Sequence, residues 1–131
     1  MYAGLPTELQ HTIRRRAKVF NSLKNKYSTD SNLSIAIGLI EHLTSLMPEI
    51  TGRSRKQKFV IYRMAFSFLC RAEFGLNTVK IGELLNRDHS SIVHFTKVFN
   101  NFLDTKDELA LTTLHQVNIY LRDITTIKND E

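Results

Sequence analysis

The chain has 131 residues, of which 42% are apolar, five are glycine and two are proline, and its formal net charge is +5. This composition excludes a disordered or collagen-like chain, and the scarcity of helix-breaking residues favours an all-α globular protein. The single cysteine, Cys70, excludes an internal disulfide and a cysteine-based zinc site. No apolar run reaches the roughly 18 residues of a membrane span, and the N-terminus lacks a signal-peptide pattern, so we expect a cytoplasmic protein.

Positive charge is concentrated ahead of residue 104. Residues 1–103 contain 15 basic and seven acidic residues, a net charge of +8, whereas residues 104–131 contain three basic and six acidic residues, a net charge of −3. A basic body favours a polyanionic partner, and a basic face is the usual electrostatic footprint of a nucleic-acid-binding protein.

A first helix is predicted at about Glu8–Tyr27, after Pro6. Its apolar residues recur at helical spacing, and basic residues cover the rest of its surface. Three interpretations are open for this helix: a solvated basic face, a second DNA contact, or a surface for self-association or a protein partner. We treat residues 1–32 as an appended N-terminal segment and residues 33–131 as the main domain.

Two longer helices and a basic loop come next. A helix at about Leu33–Leu46 has one apolar side, and the segment 51–58 that follows reads TGRSRKQK. A further helix at about Gln57–Phe74 is apolar almost all round, which indicates a central position in the core. Gly75 fits a C-terminal cap. The narrow polar stripe of this helix consists of Arg63, Ser67 and Arg71.

Two short helices joined by a tight polar turn follow, at about Thr78–Leu85 and Ser90–Phe102. Their lengths and spacing are typical of a helix-turn-helix, whose second helix enters the major groove of DNA. Residues 86–91 put six polar side chains at the start of that helix, where side chains meet base edges. Asp88 could accept a hydrogen bond from cytosine, or it could serve as a helix N-cap alone. A closing helix is predicted at about Thr105–Ile127.

The run from Lys80 to His94 resembles the C-terminal DNA-binding domain of the bacterial replication initiator DnaA, whose signature is close to P-E-I-G-x-x-F-G-G-R-D-H-T-T-V-L-H. The resemblance covers roughly residues 33–127. It implies a Trp-repressor-like helix-turn-helix domain, here with an extra N-terminal helix. It also implies sequence-specific binding of double-stranded DNA at the nucleoid, in replication initiation or its regulation. The matching residues are Ile81, Gly82, Arg87, Asp88, His89 and His94, with Ser90 and Ser91 in place of paired threonines.

The resemblance also implies roles for individual residues. Arg55 aligns with the arginine of the family's basic loop, which enters the minor groove, and Arg63 aligns with an arginine that touches the DNA backbone. The residues expected to read bases in the major groove are Asp88, His89, Ser90 and Ser91. The residues expected to contact phosphates are Arg53, Lys56, Arg63, Arg87, His94 and Lys97.

The chain departs from the family pattern at several positions. Asn86 replaces the two glycines before Arg87, Tyr62 replaces a proline, and Met64 replaces a glutamine. These changes are compatible with the fold, and they leave the DNA target sequence open. The sequence contains no G-x-x-x-x-G-K-[ST] signature, so we expect neither the family's ATPase module nor a bound nucleotide.

Catalytic and metal-binding functions have no support in the sequence. No nucleophile and base occur in a recognisable context, and His89 and His94 at i, i+5 spacing lie on different faces of a helix, so we expect no enzyme, metal or cofactor. Two other functions stay open. One is a protein–protein interaction module that keeps the fold without binding DNA. The other is an RNA-binding basic protein, which the lack of an aromatic stacking platform disfavours.

Overall fold

The computed structural model describes residues 31–129. Within this range it contains five α-helices and no strand, so the all-α prediction is confirmed. The predicted helix at about Glu8–Tyr27 lies outside the described residues. The helices are α1 (Ser31–Leu46), α2 (Gln57–Ala72), α3 (Thr78–Leu85), α4 (His89–Asp104) and α5 (Glu108–Asn129), with a 3-10 helix at Pro48–Thr51 between α1 and α2.

Helix α2 is the centre of the domain, as its nearly uniform apolar pattern predicts. It packs against α3, α4, α5 and the 3-10 helix. The helix ends two residues earlier than predicted, because Gly75 adopts a positive φ of 62° and lets Leu76 N–H bond to the Cys70 carbonyl at 3.1 Å. Burial raises the pKa of the Cys70 thiol well above its ordinary value. The fully buried side chains of α2 include Ala65, Phe66 and Cys70.

Helix α1 packs on the 3-10 helix and on α5, and it also contacts α3. Its predicted apolar side is buried, and Leu39 is buried as well, so the helix is enclosed more completely than its pattern indicated. The rings of His42 and Tyr120 meet edge to face with centroids 5.2 Å apart. This ring contact joins α1 to α5.

Capping residues define the two short helices. Asn77 caps α3 by accepting a hydrogen bond from Lys80 N–H at 2.9 Å, and Asp88 caps α4. Helix α5 begins at Glu108 rather than Thr105, because Asp107 accepts from Ala110 N–H at 2.9 Å and starts the helix there. On the inner side of α4, Ile92 and Phe99 are fully buried, and Phe95 and Phe102 are half-buried.

No helix in the described part of the chain is both long and apolar enough to cross a membrane. Nor do the described side chains group three or more potential metal ligands together.

Candidate nucleic-acid interface

A three-residue turn, residues 86–88, joins α3 and α4. Asn86 takes the left-handed conformation with φ 59° and ψ 47°, and Arg87 N–H bonds to the Gly82 carbonyl at 2.9 Å. Asparagine tolerates this conformation better than most residues, so a single Asn86 fills the place of the family's two glycines. The turn therefore closes in the shortened form that the sequence indicated.

Asp88 is engaged by the start of α4. Its carboxylate accepts from Ser90 N–H at 3.2 Å and from the Ser90 hydroxyl, and its other oxygen lies 3.5 Å from His89 Nδ1. The hydrogen bonds from Ser90 hold the pKa of Asp88 below its ordinary value, and the nearby His89 lowers it further. Asp88 is thus an N-cap, and Ser90 is oriented by it.

The first three turns of α4 present a continuous polar face. His89, Ser90, His94 and Lys97 are all exposed, while Ser91 is half-buried. Spacings of three and four residues put Ser90, Ser91, His94 and Lys97 on one side of the helix, and His89 is the first residue of the helix, next to the turn. The structure therefore brings the predicted base-reading residues together with the predicted phosphate contacts His94 and Lys97.

The basic loop runs beside the helix-turn-helix. The side chains of Arg53, Arg55 and Lys56 are exposed. An open groove lies between the loop and the turn, and its lining comes from the loop, from α2 and from the helix-turn-helix: Arg53, Ser54, Arg55, Val60, Arg63, Asn86, Arg87 and Phe95. The two segments of the sequence that were expected to contact DNA are therefore neighbours in space.

Arg63 occupies a different environment from the one predicted. Its side chain is only 3% exposed, and its guanidinium donates to four main-chain carbonyls in residues 49–54. Burial, reinforced by the charge of Arg87, lowers the pKa of Arg63 to about 10. The guanidinium is thus enclosed and its hydrogen bonds are directed inward, although Arg63 also lines the groove between the basic loop and the turn. Its contact with a DNA phosphate stays a prediction.

Arg87 is half-buried and combines two environments. It donates to the Gly52 carbonyl and, at 3.1 Å, to the Asn86 carbonyl, and its burial lowers its pKa. The same side chain lines the groove against the basic loop and a second depression with Val79, Asp88 and His89. Part of its surface consequently faces solvent at the junction of loop and turn.

Sequence reasoning missed Val93 as a candidate contact. This residue is 51% exposed and lies on α4 one turn after His89 and Ser90. An exposed valine on a polar helix face offers methyl groups that can pack against the C5-methyl of thymine. The available signal was its position: Val93 falls outside the inward-facing positions Ile92, Phe95 and Phe99.

Comparison with known proteins places this segment in a family. Residues 35–98 match the family described as bacterial dnaA protein helix-turn-helix. The chain is 40% identical over 58 residues to "Chromosomal replication initiator protein DnaA 1" of Chlamydia muridarum, covering 44% of this chain and 13% of that protein. The protein of the same name from Chlamydia trachomatis is 36% identical over 58 residues, with the same coverage.

A more distant relative extends the match. "Chromosomal replication initiator protein DnaA" of Thermomicrobium roseum is 29% identical over 75 residues, which are 56% of this chain and 16% of that protein. The chain therefore spans only a small fraction of the length of these relatives. No solved structure matches it. Residues 35–98, which include α2, α3 and the Arg-Asp-His-Ser-Ser run, therefore match the helix-turn-helix of the bacterial DnaA family.

Proposed function

We propose that this domain binds double-stranded DNA in a sequence-specific manner, with α4 in the major groove and the basic loop in the adjacent minor groove. The observation that carries the proposal is the polar face of α4, which begins at an exposed His89 and adjoins a groove lined by Arg53, Arg55 and Arg87. A helix N-terminus with small polar side chains suits base-edge contacts, and flanking arginines suit phosphates and a narrow minor groove.

The assignment of roles follows exposure. His89, Ser90 and Ser91 read bases. Asp88 also reads bases, through the lone pairs of its carboxylate that do not accept hydrogen bonds from Ser90. Arg55 enters the minor groove. The residues assigned to phosphates are Arg53, Lys56, Arg87, His94 and Lys97. Arg63 is left out of this set because its donors are turned to the main chain.

The biological role we propose is replication initiation or its regulation, because the relatives are chromosomal replication initiator proteins. We propose a DNA-binding protein without catalytic activity, nucleotide or metal, located at the nucleoid in the cytoplasm. The appended residues 1–32 are assigned to self-association or to a protein partner.

Selection of bound duplexes from a random pool by the full chain tests the proposal. We expect enrichment of a defined site. Single-stranded DNA and RNA competitors of the same length should displace the selected duplex from the protein only poorly. A triple change of Arg53, Arg55 and Lys56 to glutamine should abolish selection, whereas Arg122→Gln, an exposed cation on α5, should leave it intact. Efficient displacement of the bound duplex by the RNA competitor would favour the RNA-binding alternative, and no binding of any nucleic acid would favour the protein-interaction module.

A further inference from the structure

One buried side chain holds the main chain of the basic loop and the 3-10 helix before it. Arg63 Nε donates to the Ile50 carbonyl at 2.7 Å, Nη1 to the Ser54 carbonyl at 2.7 Å, and Nη2 to the Glu49 and Gly52 carbonyls at 2.7 and 3.2 Å. Four of the five donors of the guanidinium are used in this way. The stretch of main chain at Arg53 and just before Arg55 is thus fixed to Arg63, in the middle of α2.

The helix-turn-helix holds the same stretch from the other side. Arg87 donates to the Gly52 carbonyl, which Arg63 also binds, and Asn86 Nδ2 donates to the Thr51 carbonyl at 3.3 Å. Gly52 is therefore the point where α2, the loop and the turn are joined. Both arginines are at least half-enclosed, so these hydrogen bonds are shielded from competing water.

We propose that Arg63 is a positioning residue for DNA recognition. It holds the loop at a fixed separation from α4, so that Arg55 and the base-reading side chains meet adjacent grooves as one rigid unit. A loop ordered in advance loses less conformational entropy on binding, which increases affinity without a direct contact. This inference rests on the proposed DNA-binding function, and it makes the minor-groove contribution of Arg55 depend on the hydrogen bonds that Arg63 makes to the loop.

A double-mutant cycle on duplex binding tests this role. Arg63→Lys keeps the charge and loses the planar fork, so the loop should be released while the cation stays. Arg55→Ala should weaken binding to the selected duplex about tenfold in the unsubstituted protein, and less than about threefold in the Arg63→Lys background. His89→Ala should lower the affinity for the duplex by the same factor in both backgrounds, because the position of His89 on α4 does not depend on the hydrogen bonds of Arg63 to the loop. Affinities are expressed per folded molecule, determined by circular dichroism.

The second variant is Asn86→Gly, which removes the bond to Thr51 while glycine keeps the left-handed backbone. It should reduce the Arg55 effect in the same direction, and it keeps the test valid if Arg63→Lys does not fold. Additive costs of Arg63→Lys and Arg55→Ala would overturn the inference and assign Arg63 to folding stability alone. An Arg55→Ala change without cost in the unsubstituted protein would also overturn it, while leaving the α4 contacts standing. No duplex binding by the unsubstituted protein would instead refute the proposed function itself.

Discussion

The α-carbon of Gly82 lies directly against the carbonyl oxygen of Arg87, and Arg87 N–H bonds to the Gly82 carbonyl at 2.9 Å. A Cβ at position 82 would collide with that oxygen, which is main chain and has no rotamer to escape into. The loop of residues 86–88 therefore packs against the last helical turn of α3 at Gly82. The direction in which α4 leaves the turn therefore depends on the absence of a side chain at position 82.

Gly82→Ala should destabilise the domain by about 1–3 kcal/mol, because the turn must shift to admit the methyl group. The measurement is the free energy of unfolding in urea. Gly38→Ala in α1 is the matched control, since its Cβ would lie at an ordinary 3.6 Å from Ile124 Cδ1. That change should be neutral or stabilise by about 0.5–1 kcal/mol through helix propensity. Equal effects at the two positions would contradict the close approach.

The cap at Asp88 predicts a pH dependence of stability. The pKa of Asp88 is lowered in the folded protein, so its carboxylate contributes stability above about pH 4, the pKa of the unfolded chain. That contribution is lost as the pH falls through the lower folded-state pKa. The stability difference between the unsubstituted protein and Asp88→Asn should therefore shrink below about pH 4 in urea titrations. Ser90→Ala should show a smaller pH dependence, because the Ser90 hydroxyl supplies the largest part of the shift.

Base reading and phosphate binding should separate on α4. His89→Ala and Ser91→Ala should each cost about 1–3 kcal/mol on the selected duplex and little on random duplex. Lys97→Ala should weaken both by similar factors, because phosphates carry no sequence information. Gel-shift titrations of the unsubstituted protein and of each variant on the two duplexes give these affinities. If neither His89→Ala nor Ser91→Ala changes the preference for the selected site, α4 is not the recognition helix.

Salt dependence distinguishes the exposed cations from the buried one. The logarithm of the affinity should fall with the logarithm of salt concentration, with a slope of about −0.9 for each phosphate contact. Arg53→Gln, Lys56→Gln and Lys97→Gln should each make the slope shallower by about one contact. Arg63→Gln should leave the slope nearly unchanged, because this side chain is enclosed. A full unit of slope lost on changing Arg63 would restore it to the phosphate contacts.

The described core predicts that residues 31–131 fold without the preceding segment. Its buried apolar residues run from Leu33 to Val117. We expect a cooperative thermal transition for this fragment by circular dichroism. Loss of cooperativity would show that residues 1–30 complete the core. A change from dimer to monomer in sedimentation would instead assign that segment to assembly.

The positions of the helices could be predicted from local signals. Apolar periodicity located α1 and α2, and the polar residues between the two short helices located the turn and the cap of α4 at Asp88. The run from Arg87 to Ser91 located the start of α4. Each of these features depends on residues close together in the sequence, so one chain is enough to reveal it.

The environment of Arg63 could not be predicted in the same way. Periodicity correctly put Arg63, Ser67 and Arg71 on one stripe of α2, but a polar stripe can face water or buried carbonyls. Which of these it faces depends on how residues 49–54 fold back over the helix, and that is a long-range relationship. Arg63 and Ser67 proved buried, whereas Arg71 is exposed. The groove between loop and turn has the same origin, because it exists only once Gly52 and Arg87 meet.

The enclosure of Cys70 has a practical consequence. It is the only thiol of the chain, and its raised pKa and complete burial keep the reactive thiolate from forming in the folded domain. An alkylating reagent therefore reaches Cys70 only when α2 leaves the core, so the rate of alkylation measures how often the domain opens. A second cysteine introduced on the exposed face of α4 can then carry a fluorophore at the proposed DNA-binding surface while the native thiol remains unlabelled.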